Sequence, residues 1–106
     1  MARGAVRQAC EDVAVDLDAV LLCTSELVAN AVLHGSPPLH LVLAVREAHV
    51  RVEVHDGDVR PARRRDPLAN DTLSGRGLGI VEMLTTRWGS EQTDAGKVTW
   101  FEITLT

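Results

Sequence analysis

The chain has 106 residues, of which 45% are hydrophobic and 25% are charged, and its net charge is −4. This size and composition predict one soluble domain with a single core, and they exclude wholesale disorder or separate catalytic and regulatory domains. No apolar run approaches the ~20 residues of a membrane span, and the N-terminus lacks the apolar stretch of a signal peptide. We therefore expect a cytoplasmic protein in which Cys10 and Cys23 are reduced and part-buried rather than disulfide-bonded. The acidic balance argues against nucleic-acid binding and leaves a basic protein partner open.

The first third of the sequence predicts two helices. Apolar residues at helical spacing indicate a short first helix over 2–13. A longer helix is expected from its N-cap at Asp16 to His34, with a buried apolar stripe along one side. Gly35 and the two prolines that follow it end this helix.

The remainder predicts strands around one more helix. Strands are expected at 39–46, 49–56, 88–92 and 98–105, with a helix at 77–87. The first two strands are rich in β-branched residues and are separated by Glu47-Ala48, which indicates an antiparallel hairpin. The segment 57–76 has no periodicity and exceeds the usual ~12–15 residues of a loop in a compact domain, so we expect a lid. The predicted architecture is an α/β (α+β) two-layer sandwich, with helices on one face of a mixed, mainly antiparallel sheet.

The second helix carries two polar side chains one turn apart. Glu26 and Asn30, in ELVANAVLHG, are four residues apart and therefore project from one face. A carboxylate beside a carboxamide suits a general base next to a ligand for a hard cation. Taken alone, the pair is better explained as two solvated polar residues on a helix.

Two further motifs follow along the chain. The second strand ends in VEVHDG at Asp56, and an Asp-Gly pair after a strand by itself favours a turn. The string Gly75, Gly77, Gly79 precedes a predicted helix, so its backbone N–H groups could cradle phosphates. A Rossmann motif does not fit, because no strand precedes these glycines.

In this order the three motifs resemble the N, G1 and G2 boxes of the GHKL (Bergerat-fold) ATPase and kinase superfamily. ELVANAVLHG, GRGLGIVEMLTTRWG and GKVTWFEITL are most similar to the anti-sigma factor serine kinases and to small actinobacterial histidine-kinase-like ATP-binding proteins. The resemblance runs from about residue 15 to the C-terminus. It implies that the whole chain, 1–106, is a single histidine-kinase-like ATPase domain.

The resemblance implies a site for ATP and Mg²⁺, in which the Asp56 carboxylate accepts a hydrogen bond from the exocyclic amine of adenine. The implied nucleotide contacts are Asn30, His34, Asp56, Gly57, Gly75, Arg76, Gly77, Leu78, Gly79 and Thr99. Asn30 would also be the metal ligand, and Glu26 would be the catalytic base that takes the proton from an attacking hydroxyl. His34 is expected to act as a helix-end contact and not as a catalyst.

The function implied is that of an ATP-dependent protein serine kinase that sequesters a sigma factor and phosphorylates a serine on an anti-anti-sigma partner. The resemblance is also compatible with a homodimer. One alternative is a non-catalytic, nucleotide-dependent binding module. It is favoured by Leu33, where related sequences carry a basic residue, and by Asp58, where they carry a glycine. The other alternative is the catalytic ATP-binding domain of a histidine kinase, which would need its phospho-accepting histidine on a separate chain.

Overall fold

The computed structural model describes residues 2–58 and 72–106, with side chains described for 4–58 and 78–106. The elements within these residues are α1 (Ala2–Ala9), α2 (Leu17–His34), β1 (His40–Val45), β2 (His49–Asp56), α3 (Thr72–Leu84), β3 (Arg87–Thr93) and β4 (Gly96–Thr104). Most of the predicted lid over 57–76 lies outside the described residues.

The bounds of α2 agree with the sequence prediction. Asp16 adopts an extended conformation and its side chain accepts a hydrogen bond from the Ala19 N–H at 3.1 Å, which satisfies one of the free donors at the helix start. At the other end the Gly35 N–H still donates to the Ala31 carbonyl, and the chain then turns away. The prediction for α1 was four residues too long, because the chain leaves helical geometry after Ala9.

By length and composition alone, α2 could cross a membrane, with a mean hydropathy of 1.4 over its 18 residues. The sequence reasoning overlooked this. The helix nevertheless carries Asp18 and Glu26, and its Val20, Leu21 and Leu27 are buried in the core of the domain. This pattern is typical of the central helix of a globular domain.

The four strands form one sheet in the order β1-β2-β4-β3, and every neighbouring pair is antiparallel. The hairpin of β1 and β2 is confirmed. Of the mixed, mainly antiparallel sheet that was predicted, the antiparallel part is confirmed, and the described strands include no parallel pair. β3 does run in the same direction as β2, but β4 lies between them, so no two neighbours are parallel.

The helices cover one face of this sheet, as predicted. Residues directly opposite each other in neighbouring strands point to the same face, and the core draws on one such set: Val50, Val52, Val54, Phe101 and Ile103. Val6, Leu21, Leu27, Leu78 and Val81 of the three helices complete the core. The fold is therefore the predicted two-layer α+β sandwich.

The third helix begins five residues earlier than predicted and ends at Leu84 instead of Arg87. Its end is set by β4, because the Thr86 N–H donates to the Glu102 carbonyl at 2.8 Å and Arg87 pairs with Glu102 in the sheet. The backbone is thus drawn into a strand before another helical turn can form.

The face of the sheet that points away from the described helices, the open face, carries a cluster of charged side chains around Glu102. This residue is only 7% exposed, accepts a hydrogen bond from Arg51 Nη1 at 2.9 Å, forms an ion pair with Arg87 and lies 3.4 Å from His49 Nε2. Burial alone would raise the pKa of Glu102, but the Arg51 hydrogen bond and the charges of His49 and Arg87 outweigh it and hold the pKa below its ordinary value. Arg51 also stacks on Trp100, with Cζ 4.2 Å from the ring centroid.

We predict that Glu102→Gln lowers the free energy of unfolding at pH 7 by about 1.5–3 kcal/mol, because charged hydrogen bonds across three strands are lost. A carboxyl group with a lowered pKa in the folded state stabilises the fold above its unfolded-state pKa. That contribution disappears as the pH falls from about 4.5 through the lowered value. Urea unfolding between pH 3 and 7 should therefore show a weaker acid dependence for Glu102→Gln. Glu91→Gln, exposed on β3, is the control, and equal acid dependence in both variants would contradict the role of Glu102.

Candidate functional site

The last residue of β2 is a buried carboxylate that is paired with a buried lysine. Asp56 and Lys97 lie opposite each other in β2 and β4, and their side chains are 1% and 3% exposed. Lys97 Nζ lies 3.0 Å from Oδ2 and 3.1 Å from Oδ1 of Asp56, while the Asp58 N–H donates to Oδ1 at 2.8 Å. The carboxylate thus lies at the predicted strand end, and it already has donors from the protein.

Sequence reasoning missed Lys97, although a signal was present. Position 97 has the same parity along β4 as Thr99 and Phe101, which face the helices. A lysine on that face would have to bury its charge, which is costly unless a partner is present. Such an anomaly in the pattern points to a nearby carboxylate.

Two glycines allow the backbone to close around Asp56. A Cβ on Gly96, whose φ is +155°, would lie 2.0 Å from the Asp56 carbonyl oxygen and 2.7 Å from Gly57 Cα. A Cβ on Gly35 would lie 2.7 Å from Asp56 Oδ2. No side chain can be accommodated at either position without moving backbone or the carboxylate.

The end of α2 is joined directly to this strand end. The Gly57 N–H donates to the Ser36 carbonyl at 2.6 Å, which fixes the C-terminus of α2 beside Asp56. His34, half-buried, is the last residue of the helix. Asn30 is 6% exposed, and Glu26, one turn earlier, is half-buried. Measured along the helix axis, Asn30 precedes Gly35 by about 7.5 Å and Glu26 precedes it by about 13.5 Å.

Thr99 lies on the same face of the sheet as Asp56. It is 3% exposed, is opposite Val54 in the register, and its Oγ1 is 3.5 Å from Ser90 Oγ on β3. The antiparallel register therefore brings Thr99 two residues along β4 from Lys97, between the Asp56 pair and the apolar core.

The glycine string has a different local structure from the one expected. Gly75, Gly77, Leu78 and Gly79 all lie within α3, whereas the predicted helix began only at Gly77 and left Gly75 in the segment before it. Glycine lowers helix stability but does not forbid a helix, and the buried Leu78 anchors this part of α3 in the core. The Arg76 side chain lies outside the described residues.

The two departures from the superfamily motif have different structural consequences. Leu33 is 53% exposed, so it offers no charge to a phosphate from the surface of α2. Asp58 is 8% exposed, and its contribution to the site is its backbone N–H, which holds Asp56 Oδ1. Because any residue but proline supplies that N–H, replacing glycine by Asp58 preserves this contact.

The two cysteines are buried and free of a disulfide, Cys10 at 2% and Cys23 at 0% exposure. Burial, with the nearby charges of Glu26 and Asp16, raises the pKa of the Cys23 thiol to about 12, and burial also raises that of Cys10. Both thiols therefore remain protonated near neutral pH and are poor nucleophiles. Within residues 2–58 and 72–106, no three His, Cys, Asp or Glu residues are grouped to hold a metal ion.

Residues 2–103 match the family model of the histidine kinase-like ATPase domain. The chain belongs to this family, and with it to the ATP-binding domains of kinase type. No curated protein matches the chain. The donor chemistry of α2 fits the Mg²⁺ and ATP that such domains use, since Asn30 offers an amide oxygen and Glu26 a carboxylate on adjacent turns.

We predict that Gly96→Ala lowers the free energy of unfolding by more than about 1 kcal/mol, because its new Cβ meets the Asp56 carbonyl and the backbone conformation disfavours a side chain. Gly4→Ala is the matched control. A Cβ at this exposed position of α1 meets nothing within 4 Å, and alanine should stabilise the helix by about 0.5–1 kcal/mol. Urea unfolding should thus show shifts of opposite sign. A Gly96→Ala midpoint equal to wild type would show that β2 and β4 do not approach each other this closely.

Proposed function

We propose that this protein is an ATP-dependent protein serine kinase of the anti-sigma type, which phosphorylates a serine on an anti-anti-sigma partner. The observation that carries the proposal is the order of three polar groups: Asp56 ends β2 beside the C-terminus of α2, and Asn30 and then Glu26 follow back along that helix. Membership of the histidine kinase-like ATPase domain family supports nucleotide binding. The serine specificity rests on the resemblance of the ELVANAVLHG, GRGLGIVEMLTTRWG and GKVTWFEITL segments to that branch.

In this proposal the nucleotide lies along α2 with its base at Asp56 and its phosphates beyond Asn30. The carboxylate of Asp56 accepts a hydrogen bond from the exocyclic amine of adenine, and Thr99 borders the base from β4. The Asn30 amide oxygen would hold Mg²⁺, and the ion would neutralise part of the charge on the phosphates. Rigid placement of these groups on a helix and two strands favours catalysis by positioning.

Glu26 acts where the phosphoryl group is transferred. A serine oxygen forms the new bond to phosphorus as the bond from the terminal phosphate to the β–γ bridging oxygen breaks. Glu26 accepts the proton that the serine hydroxyl loses, and ADP leaves. Its half-buried position one turn beyond Asn30 suits this role, because the carboxylate remains open to a second protein.

The proposed partners are a sigma factor, which the protein sequesters, and an anti-anti-sigma-like protein that carries the substrate serine. The exposed Leu22, Val32 and Leu33 of α2 provide apolar contact area near the catalytic face. A cytoplasmic location and a homodimer belong to the same proposal.

A second candidate is a binding module without phosphotransfer. Two observations favour it: Leu33 places an exposed apolar side chain where a phosphate would gain from a cation, and Lys97 already satisfies Asp56. This candidate predicts partner binding without any transfer of phosphate.

We predict that Glu26→Gln lowers the rate of phosphotransfer by ~10²–10⁴-fold, because the amide cannot accept the serine proton. Affinities for Mg-ATP and for the partner should be unchanged, since shape and hydrogen-bonding capacity are kept. Transfer of labelled phosphate to an anti-anti-sigma-like protein, followed by electrophoresis, measures the rate, and Glu47→Gln in the exposed β1–β2 turn is the control. Undiminished transfer by Glu26→Gln would remove Glu26 from the mechanism, and ATP binding without transfer by wild type would establish the module instead.

We predict that Asn30→Ala weakens the binding of Mg-ATP far more than the binding of ATP in EDTA, because only the metal-bound form uses the amide oxygen. Asn30→Asp retains an oxygen ligand and should retain the metal dependence. Calorimetry with and without Mg²⁺ measures both affinities for each variant. If Asn30→Ala lowers the two affinities by the same factor, then Asn30 supports the fold of the site without binding the metal.

A further inference from the structure

Lys97 is the only lysine in the chain, and it is buried. Its aliphatic part lies on the face of β4 that packs under the helices, and its ammonium group contacts both oxygens of Asp56. The proposed role of Asp56 is to accept a hydrogen bond from a ligand. A carboxylate in that role would be expected to have a free oxygen, but both oxygens of Asp56 contact a buried ammonium group. The pair therefore affects how any base can be recognised.

The Asp56 carboxylate has little remaining capacity to accept a hydrogen bond. An ionised carboxylate offers about four lone-pair sites. Lys97 Nζ is within hydrogen-bonding distance of both oxygens, and the Asp58 N–H donates a hydrogen bond to Oδ1. Gly35 also lies close to Oδ2, since a Cβ on it would be only 2.7 Å from that oxygen. A base that donates to this carboxylate must therefore displace Lys97.

We propose that Lys97 is a specificity-determining residue that competes with the exocyclic amine of adenine for Asp56. This inference rests on the proposed binding of adenine nucleotides at Asp56. The lysine lowers affinity for them, because part of the binding free energy is spent in separating a buried ion pair.

Lys97 also narrows the discrimination between purines. A lone carboxylate accepts from the 6-amino group of adenine and repels the 6-oxo group of hypoxanthine. A carboxylate beside an ammonium group presents both an acceptor and a donor. Once displaced from Asp56, the ammonium group can donate to a 6-oxo group while Asp56 accepts from the neighbouring N1–H, so the two side chains together accommodate a 6-oxopurine better than Asp56 alone does.

The test compares Mg-ATP with Mg-ITP, which carry the same triphosphate and differ at the 6-position and N1 of the base. Lys97→Met keeps an unbranched side chain and removes the charge. Its affinity for ATP should rise about tenfold or more, as expected for relief of one charged interaction, and its ATP-to-ITP affinity ratio should rise as well. Because a lost positive charge acts equally on both triphosphates, the ratio isolates the effect at the base. Lys97→Arg, which keeps the pair, should behave as wild type does.

Asp56→Asn added to Lys97→Met should abolish the gain in affinity and in selectivity, since the gain requires the carboxylate. A lower affinity for ATP in Lys97→Met, or an unchanged ATP-to-ITP ratio, would overturn the role of Lys97 while leaving adenine-nucleotide binding in place. Absence of ATP binding by wild type and all variants would overturn the proposed function together with this inference.

A second measurement uses the wild-type protein, in case Lys97→Met fails to fold. Because the chain has one lysine, ¹³C labelling of lysine at Cε gives a single side-chain signal. Saturation with Mg-ATP should shift this signal as the ammonium group leaves Asp56, whereas Mg-triphosphate without a base should not. A signal that stays unchanged under saturating ATP would show that Lys97 keeps its partner and does not compete.

Discussion

The buried ion pair between Asp56 and Lys97 is the interaction on which the candidate site depends. Taking both charges out of water costs several kcal/mol per ion, and the pair is tolerated only when geometry and additional hydrogen bonds compensate. The register of β2 and β4 supplies that geometry by placing the two residues opposite each other, and the Asp58 N–H supplies one further hydrogen bond. The end of β2 and the start of β4 are therefore fixed relative to each other.

Close packing around this pair determines how the rest of the site is arranged. Gly96 lets β4 approach the backbone of β2, and Gly35 lets the end of α2 approach the carboxylate. Since α2 is thereby anchored at its C-terminus, the helix carries Asn30 and Glu26 away from Asp56 at fixed spacing. A site built on one helix and two strands positions its polar groups more rigidly than a site on loops.

The two faces of the sheet use charge in different ways. On the helix-covered face, Lys97 and Asp56 form one enclosed pair that water cannot screen. On the open face, Glu102 is shared between Arg51, His49 and an Arg87 side chain that is 65% exposed. Interactions of exposed groups are weakened by solvent and salt, so the open cluster depends on ionic strength more than the enclosed pair does.

Several elements could be read from the sequence because their causes are local. Asp16 and Gly35 mark the ends of α2 through capping, and the alternation of valines in 49–56 identifies a strand with one buried face. The motifs also identified the family correctly, because a match over residues 2–103 confirms the histidine kinase-like ATPase domain. What these signals share is that each depends on residues a few positions apart.

The sequence by itself determined the helix α2, the first hairpin, the α+β class and the family of the domain. Only the tertiary structure decided that β4 lies between β2 and β3, that Lys97 meets Asp56 from 41 positions away, and that α3 begins at Thr72 and so includes Gly75. Strand order and buried ion pairs depend on contacts between distant segments, whose free energies are set by the packing of the whole core. Local propensity does not determine those contacts, since the same strand or glycine pattern is compatible with several neighbouring elements in the fold.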